Sequence, residues 1–175
     1  MTTLPETYTA AQVASLCGTT TKNISNWTDR GLIHTASETD PGRGRSRDYT
    51  WFTLMQTACA VAIMDLGVSS PQDAFQAAAH FAHIGKGQSG WVGEPPANQA
   101  VRWPSLPFHH MRGITMLYIA GSDAAILLHR VWNKEPFADG YFKLRDVLHG
   151  ARSHIALDVT EIFKAVCGRL GLDFR

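Results

Sequence analysis

The residues best suited to chemistry in this sequence are cationic side chains close to position 45. Arg43, Arg45 and Arg47 alternate with small or polar residues, and Tyr49 continues the alternation. Because side chains alternate across an extended strand, all four would lie on one side of it. Such a row suits contacts with phosphates or insertion into a minor groove. On its own it is more typical of a solvated loop tip, so its neighbours decide its interpretation.

A second set of polar donors precedes this row, in the stretch GTTTKNISNWTDRGLI. Lys22 and Asn26 are one helical turn apart, and Asp29 or Arg30 continues the same face. Lysine donates to guanine and asparagine pairs with adenine through two hydrogen bonds, so these side chains would serve base edges or phosphates. The spacing therefore predicts a nucleic-acid contact along one face of a helix.

A helix-turn-helix is needed to present that face, and three residue types meet its demands. Ala14 is small enough for a close helix crossing, and Gly18 accepts the positive φ of the turn four positions later. Ile24 would fix the second helix to the core. Trp27 and Gly31 share the inner face of that helix with Ile24.

Hydroxyl residues mark the starts of four predicted helices. Thr9, Thr20, Thr50 and Ser70 are the predicted N-caps, with helices over 10–17, 21–30, 51–66 and from Pro71 onward. Between the second and third helices, two short extended pieces are expected about a turn at Asp40-Pro41-Gly42. The helix over 51–66 is apolar nearly all round, and either a C-terminal unit or a second copy of the protein would cover its remaining face.

The sequence changes character from residue 85. Glycine and proline are dense over 85–112, which predicts a linker or an ordered loop. The predicted elements beyond it are strands over 114–120, 124–132 and 154–158 and a helix over 159–170, with a turn at Gly121-Ser122-Asp123. Asp158 and Glu161 have the spacing of a capping box at the start of that helix.

The stretches YTAAQVASLCGTTTKNISNWTDRGLI and GRGRSRDYTWFTLMQTACAVAIMDLGVSSPQ together resemble the N-terminal winged-helix domain of MerR-type transcription regulators. The shared features are a tyrosine-led first helix, an aromatic-glycine-leucine exit, an arginine-x-tyrosine wing and a capped helix ending in LG, over roughly residues 8–84. The resemblance implies that the early recognition helix and the wing contact DNA, through Lys22 and the Arg47-x-Tyr49 pair. Ser25 stands where the family usually has arginine, and Asn26 where it has an aromatic residue.

The resemblance ends near residue 84. The family's long dimerisation helix with heptad repeats is replaced here by the Gly/Pro-rich stretch, and the cysteine pair of its metal-sensing members is missing. Twisting of promoter DNA by a coiled-coil dimer is therefore not implied for this chain.

Other patterns in the sequence point to ordinary structure rather than chemistry. GKGQSG, residues 85–90, satisfies a dinucleotide-binding pattern but follows a helix and precedes a proline-rich loop, so it is interpreted as linker. His80 and His83, and the adjacent His109 and His110, have no nearby carboxylate or cysteine to complete a metal site. No residue arrangement suggests a nucleophile or a general acid, so we expect neither an enzyme nor a cofactor.

Composition limits the function classes. A chain of 175 residues forms one large or two small domains, and its net charge of +1 requires any nucleic-acid contact to be a local patch. Three widely separated cysteines are expected to be buried thiols. Residues 1–9 lack the features of a signal peptide, and the apolar segment 51–68 carries Asp65, which favours a buried helix over a membrane span. We therefore expect a cytoplasmic protein that does not engage membranes.

We predict an α+β protein with a winged helix-turn-helix over residues 1–84 and a small α+β unit over 113–175. The latter has a hairpin, a third strand and a terminal helix. Its predicted role is dimerisation or docking of a partner or small effector. The predicted function is sequence-specific transcriptional regulation by a homodimer on double-stranded DNA. The predicted DNA contacts are Thr20, Thr21, Lys22, Asn23, Asn26, Arg30, Arg43, Arg45, Arg47 and Tyr49. The alternatives are a phage-type architectural protein, such as an excision factor or packaging subunit, and a winged-helix interaction module that does not bind DNA.

Overall fold

The protein has a mixed helix and sheet fold. A computed structural model describes residues 5–37, 47–84, 89–91, 103–107, 113–120, 124–131 and 153–172. These ranges contain five helices and six short strands, which confirms the α+β class. No helix within them is long and apolar enough to cross a membrane.

The four N-terminal helices begin where their caps predict. They are α1 Ala10–Cys17, α2 Thr21–Asp29, α3 Trp51–Asp65 and α4 Pro71–Ala82. In each case the preceding hydroxyl side chain accepts a hydrogen bond from a backbone N–H of the first turn. Gly18 ends α1 with a φ of 70°, in the left-handed conformation that glycine adopts at low cost. Helices α2 and α3 end one residue before their predicted ends.

A two-stranded antiparallel sheet joins the start of the chain to the predicted wing. Strand β1, Tyr8–Thr9, pairs with β2, Asp48–Tyr49, and places Tyr8 opposite Tyr49. The backbone N–H of Ala36 also donates to the Asp48 carbonyl at 2.7 Å, which links the two predicted arms of the wing at its base. The predicted turn at Asp40-Pro41-Gly42 lies outside the described residues.

The second half of the chain contributes a four-stranded sheet. Its strands are β3 Ser89–Trp91, β4 Gly113–Ala120, β5 Ala124–Val131 and β6 Ile155–Asp158, in the order β3-β5-β4-β6. Strand β4 is antiparallel to both β5 and β6, so the predicted hairpin and third strand are confirmed. Strand β3 is parallel to β5 and was not expected. It contains the end of GKGQSG, and three residues are too few to show an alternating pattern.

The last helix, α5 Val159–Arg169, starts at Asp158 as predicted. One Asp158 carboxylate oxygen accepts from the backbone N–H groups of Thr160 and Glu161, both at 3.0 Å. The second half of the predicted capping box is not formed. Glu161 instead accepts from Lys164 at 2.8 Å, because the two side chains are three positions apart on the exposed face of the helix.

One hydrophobic cluster runs through the described residues. It includes side chains from α1 to α4 together with Leu117 of β4, Leu157 of β6 and Phe163 of α5. The rings of Trp51 and Phe163 meet nearly at right angles, with centroids 6.0 Å apart. Helix α3 thus packs against α4 and α5 of its own chain, so the C-terminal residues provide the first of the two covers expected for its remaining face. The division into units 1–84 and 113–175 stays a prediction.

Part of the predicted linker is attached to α4. Ser105 is completely buried, its backbone N–H donates to the Phe81 carbonyl at 3.0 Å, and its hydroxyl donates to the Ala82 carbonyl at 2.9 Å. These bonds satisfy carbonyl groups at the C-terminal end of α4 that have no partner within the helix. The glycine and proline content of this stretch gave no sign of such an anchor.

Candidate nucleic-acid interface

Helices α1 and α2 are joined by a tight turn whose residues behave as predicted. Ala14 is buried, and the Thr19 N–H donates to its carbonyl at 2.9 Å. Gly18 has the expected positive φ. Ile24 of α2 has no exposed surface. The small residue, the permissive glycine and the apolar anchor therefore take the positions that a close helix pair requires.

The inner side of α2 is held by an aromatic contact. Trp27 is buried, and its ring meets that of Phe75 in α4 edge-to-face, with centroids 5.0 Å apart. The Leu32 N–H donates to the Trp27 carbonyl at 2.9 Å and closes the C-terminal end of the helix together with Gly31, whose φ is 69°. One side of α2 is thereby fixed to the core, and the orientation of the other side follows from it.

The outer side of α2 and its two caps carry five of the ten predicted contact residues. Thr20, Thr21, Lys22, Asn26 and Arg30 are all exposed. Within the described residues, no hydrogen bond or ion pair uses the side chains of Lys22, Asn26 or Arg30. Their donors are therefore free to meet a ligand.

Two predicted contact residues have structural tasks in the turn. The Thr20 hydroxyl oxygen accepts from the Asn23 backbone N–H at 3.2 Å, as an N-cap does. Asn23 is half-buried, and its side-chain amide donates to the Thr19 hydroxyl at 3.1 Å. Both side chains stabilise the start of α2, and Asn23 has less capacity left for DNA than its sequence position suggested.

The base of the wing contacts α2 at two points. An Arg47 Nη1 atom lies 2.7 Å from an Asp29 carboxylate oxygen, and the Tyr49 hydroxyl lies 2.9 Å from the Thr28 hydroxyl. Thr28 donates its own hydrogen to the Ile24 carbonyl at 2.8 Å, so Tyr49 is the donor to Thr28. Arg47 and Tyr49 do share one side of the strand, and that side faces α2.

Tyr49 requires a correction. The sequence predicts it as a DNA contact at the end of the arginine row, but it has no exposed surface. Its ring is part of the hydrophobic cluster, and its hydroxyl is taken by Thr28. We therefore remove it from the contact set and assign it to holding the wing on α2. Arg43 and Arg45 lie outside the described residues, so their predicted role stays a prediction.

Basic residues in the first 84 positions are confined to this region. Each lysine or arginine of that stretch belongs to α2, to its C-cap or to the predicted wing, at Lys22, Arg30, Arg43, Arg45 and Arg47. Helices α1, α3 and α4 contain none. The basic side chains that a chain of nearly neutral charge could use for nucleic acid are thus concentrated in one stretch of the sequence, which also contains the carboxylates of Asp29, Glu38, Asp40 and Asp48.

Sequence reasoning missed Thr28 and Asp29 as partners of the wing. Each lies 18 or more positions from the residue that it contacts, and no local pattern announces such a pair. The only available signal is periodicity. Thr28 follows Ile24 at a spacing of four, so helical periodicity places it at the edge of the buried face.

A second concave site lies between the helices and the sheet. It is a half-open cavity of about 360 Å³, lined by Ile63, Val68, Asp73, Ala77, Ile119, Ser153, His154 and Ile155. Its walls are mainly apolar, with one carboxylate and one imidazole. Its volume falls within the range of small-molecule sites.

Burial shifts the pKa values of several titratable groups. Burial raises the pKa of the Cys17 thiol to about 12 and that of Cys167 to about 11, so both are protonated at neutral pH. The His83 Nε2 atom donates to the Gln56 side-chain oxygen, 2.9 Å away. Burial lowers the pKa of His83, and the nearby His34 lowers it further. Among the described residues, no group of three or more potential ligands is placed to hold a metal ion.

Comparison of the chain with protein-family models and with curated protein sequences found no match. The resemblance to MerR-type regulators therefore rests on the residues quoted above and on the element order. In the described residues, capped helices lie on either side of the predicted wing.

Proposed function

We propose that this protein is a sequence-specific, DNA-binding transcriptional regulator with a MerR-like winged helix-turn-helix. In this proposal α2 enters the major groove of double-stranded DNA, and the arginine-rich wing follows the backbone or the adjacent minor groove. The observation that carries the proposal is the coincidence of two properties in one place. The first 84 residues keep their basic side chains in α2, its C-cap and the wing, and the outer face of α2 is exposed while its inner face is fixed.

The dimensions and chemistry of α2 suit this task. An α-helix with its side chains is about 10–12 Å in diameter, which fits a major groove about 12 Å wide, and the nine residues of α2 extend about 13.5 Å along its axis. Lys22 and Asn26 lie one turn apart on the exposed face, where they would meet guanine and adenine edges. Thr21 lies in the first turn, where backbone N–H groups favour a phosphate.

The wing supplies the sequence-independent part of binding. Arg43 and Arg45 would contact phosphates or the minor groove beyond the wing base, which is fastened to α2 through Tyr49 and Thr28. Because the base is fixed, the wing and α2 would meet DNA in one orientation. Arg30, at the C-cap of α2, adds a cation on the same exposed side.

We further propose that the regulator acts as a homodimer. One nine-residue helix reads only a few base pairs, and regulators of this kind reach operator specificity by presenting two such helices to an inverted repeat. The C-terminal sheet with α5 is proposed as the unit for dimerisation or partner docking, and the 360 Å³ cavity as the place for a small effector.

The first test is selection of bound duplexes from a random pool with the full-length protein, followed by affinity measurements on the enriched sequence. An inverted repeat supports the regulator, and tandem half-sites favour the architectural alternative. If no sequence is enriched and weak retention disappears with added salt, the function is a protein-interaction module.

Variants then connect the selected sequence to α2. Lys22→Ala and Asn26→Ala should each weaken binding to the target by ~1–3 kcal/mol and relax the preference at one base position. Lys164→Ala is the matched control, because Lys164 is an exposed lysine of α5 outside the proposed interface. Equal losses in all three variants would show that general charge, not the face of α2, determines binding.

A further inference from the structure

Asp29 is an unexpected residue for the C-terminal end of a DNA-reading helix. It is the last residue of α2, where the helix dipole disfavours a carboxylate. It also lies on the exposed side, next to Arg30, where a phosphate backbone would repel it. The one described contact of its carboxylate is the ion pair with Arg47 across 2.7 Å.

The pair is accessible and therefore exchangeable. The side chains of Arg47 and Asp29 are 33% and 56% exposed. Ion pairs in such positions contribute little to stability, because water screens them and both side chains lose freedom. A phosphate group competing for the Arg47 guanidinium thus faces a small barrier in free energy, but it must approach a carboxylate to do so.

We propose that Asp29 determines specificity by suppressing binding to random DNA. Its carboxylate pairs with Arg47 and adds a negative charge beside the wing. DNA that offers only phosphate contacts therefore meets one available cation fewer on the protein. On the target sequence, base contacts by Lys22 and Asn26 hold α2 in the groove, and the backbone is then near enough to take over Arg47. This inference rests on the proposed function and adds to it a residue that discriminates against the wrong sequence.

Asp29→Asn tests the proposal because it keeps the size of the side chain and removes its charge. For a random duplex at 0.1 M salt we expect about tenfold tighter binding, the factor that one released counterion supplies, and a salt slope steeper by about one. The target duplex, on which Arg47 is already engaged, should gain less. The ratio of the two affinities should therefore fall.

Two further variants separate this role from general charge and from folding. Asp48→Asn removes an exposed carboxylate from the adjacent residue of the wing strand, on the opposite side from Arg47, and should change the affinity ratio little. In an Arg47→Gln background, Asp29→Asn should lose most of its effect on the salt slope. Thermal unfolding of each variant checks that the fold, including the wing base, is retained.

The outcomes distinguish the inference from the proposed function. If the wild-type protein binds no duplex at any salt concentration, the proposed function fails and the role of Asp29 fails with it. If the wild type discriminates its target but Asp29→Asn leaves the affinity ratio unchanged, or alters it no more than Asp48→Asn does, the DNA-binding function stands and the inference is overturned.

Discussion

The contact between α2 and the wing base differs in kind from the contact between the C-terminal sheet and α5. The first is made of side-chain polar pairs near the surface, Arg47 with Asp29 and Tyr49 with Thr28. The second buries apolar side chains, and its polar bond, from the Thr115 N–H to the Thr160 hydroxyl at 2.7 Å, is excluded from water. Exposed pairs exchange partners at low cost, whereas buried ones fix a single arrangement. Under the proposed function, the first contact would belong to the recognition surface and the second to the scaffold.

The largest effect should come from aromatic anchors, one in each region. Trp27→Ala removes the ring that packs on Phe75, and Phe163→Ala the ring that packs on Trp51. Each should lower the free energy of unfolding by ~3–5 kcal/mol, because a buried ring leaves a cavity. Urea denaturation followed by circular dichroism measures the loss. Both variants should unfold in one transition, since their rings belong to one cluster. Two separated transitions in either variant would show that the regions fold independently.

The buried bond of the C-terminal region should be the next most sensitive. Thr160→Val keeps the shape of the side chain but leaves the Thr115 N–H without its hydroxyl acceptor. The expected loss of unfolding free energy is ~1–3 kcal/mol, the cost of an unsatisfied buried donor. Thr21→Val, at an exposed position of α2, serves as the control. Ser15→Val is unsuitable, because it adds a β-branched residue to α1. A loss at Thr160 no larger than that at Thr21 would remove the distinction between the two contacts.

Removing the hydrogen bond between Tyr49 and Thr28 should lower the free energy of unfolding by a smaller amount. The same change at Tyr8 should leave that free energy unchanged or raise it. Tyr49→Phe removes the donor to Thr28, which still donates to Ile24, so the loss should be about 1 kcal/mol without an orphaned group. The buried Tyr8 hydroxyl has no partner among the described residues, so Tyr8→Phe should be neutral or stabilising. Thermal melts of the two variants give the comparison directly. Destabilisation by Tyr8→Phe comparable to that by Tyr49→Phe would mean that ring packing, not hydrogen bonding, is being measured.

The smallest expected effect is a pH dependence at the end of α4. Burial, followed by the nearby His34, lowers the pKa of His83 below its ordinary value of 6.5. The unfolded chain therefore binds the proton more readily than the folded protein does. The stability that neutral His83 contributes is fully present above pH 6.5 and is lost as the pH falls through the folded-state pKa. The difference in unfolding free energy between pH 8 and pH 5 should be smaller for His83→Gln than for the wild type. An equal pH difference in the two proteins would contradict this role of His83.

The sequence predicted best what depends on near neighbours. The caps Thr9, Thr20, Thr50 and Ser70 and the turn glycine at position 18 determine hydrogen bonds within three or four residues, and the helices start there. The pairing of β4 with β5 also follows from adjacency.

Long-range pairing could not be obtained in this way. Strand β3 is too short to show a pattern, and its partner lies more than 30 positions further along the chain. Tyr49 satisfied the alternation that predicted it, but alternation does not specify which side of a strand is covered. The assignment of Asp29 and Thr28 to the wing required the folded arrangement of α2 and β2.

The bond between the Arg169 guanidinium and the Leu16 carbonyl has a consequence for how the protein is made. The two residues are 153 positions apart, and the bond lies at the C-terminal end of α1, directly before the turn into α2. During synthesis the N-terminal helices emerge first, but this contact cannot form until α5 has left the ribosome. Until then the carbonyl end of α1 lacks its guanidinium partner, and the face of α3 near Trp51 lacks the ring of Phe163. Helix α1, which precedes the turn into α2, therefore gains this contact only after a segment 153 positions further along has been made, and a translation product truncated before α5 would lack it.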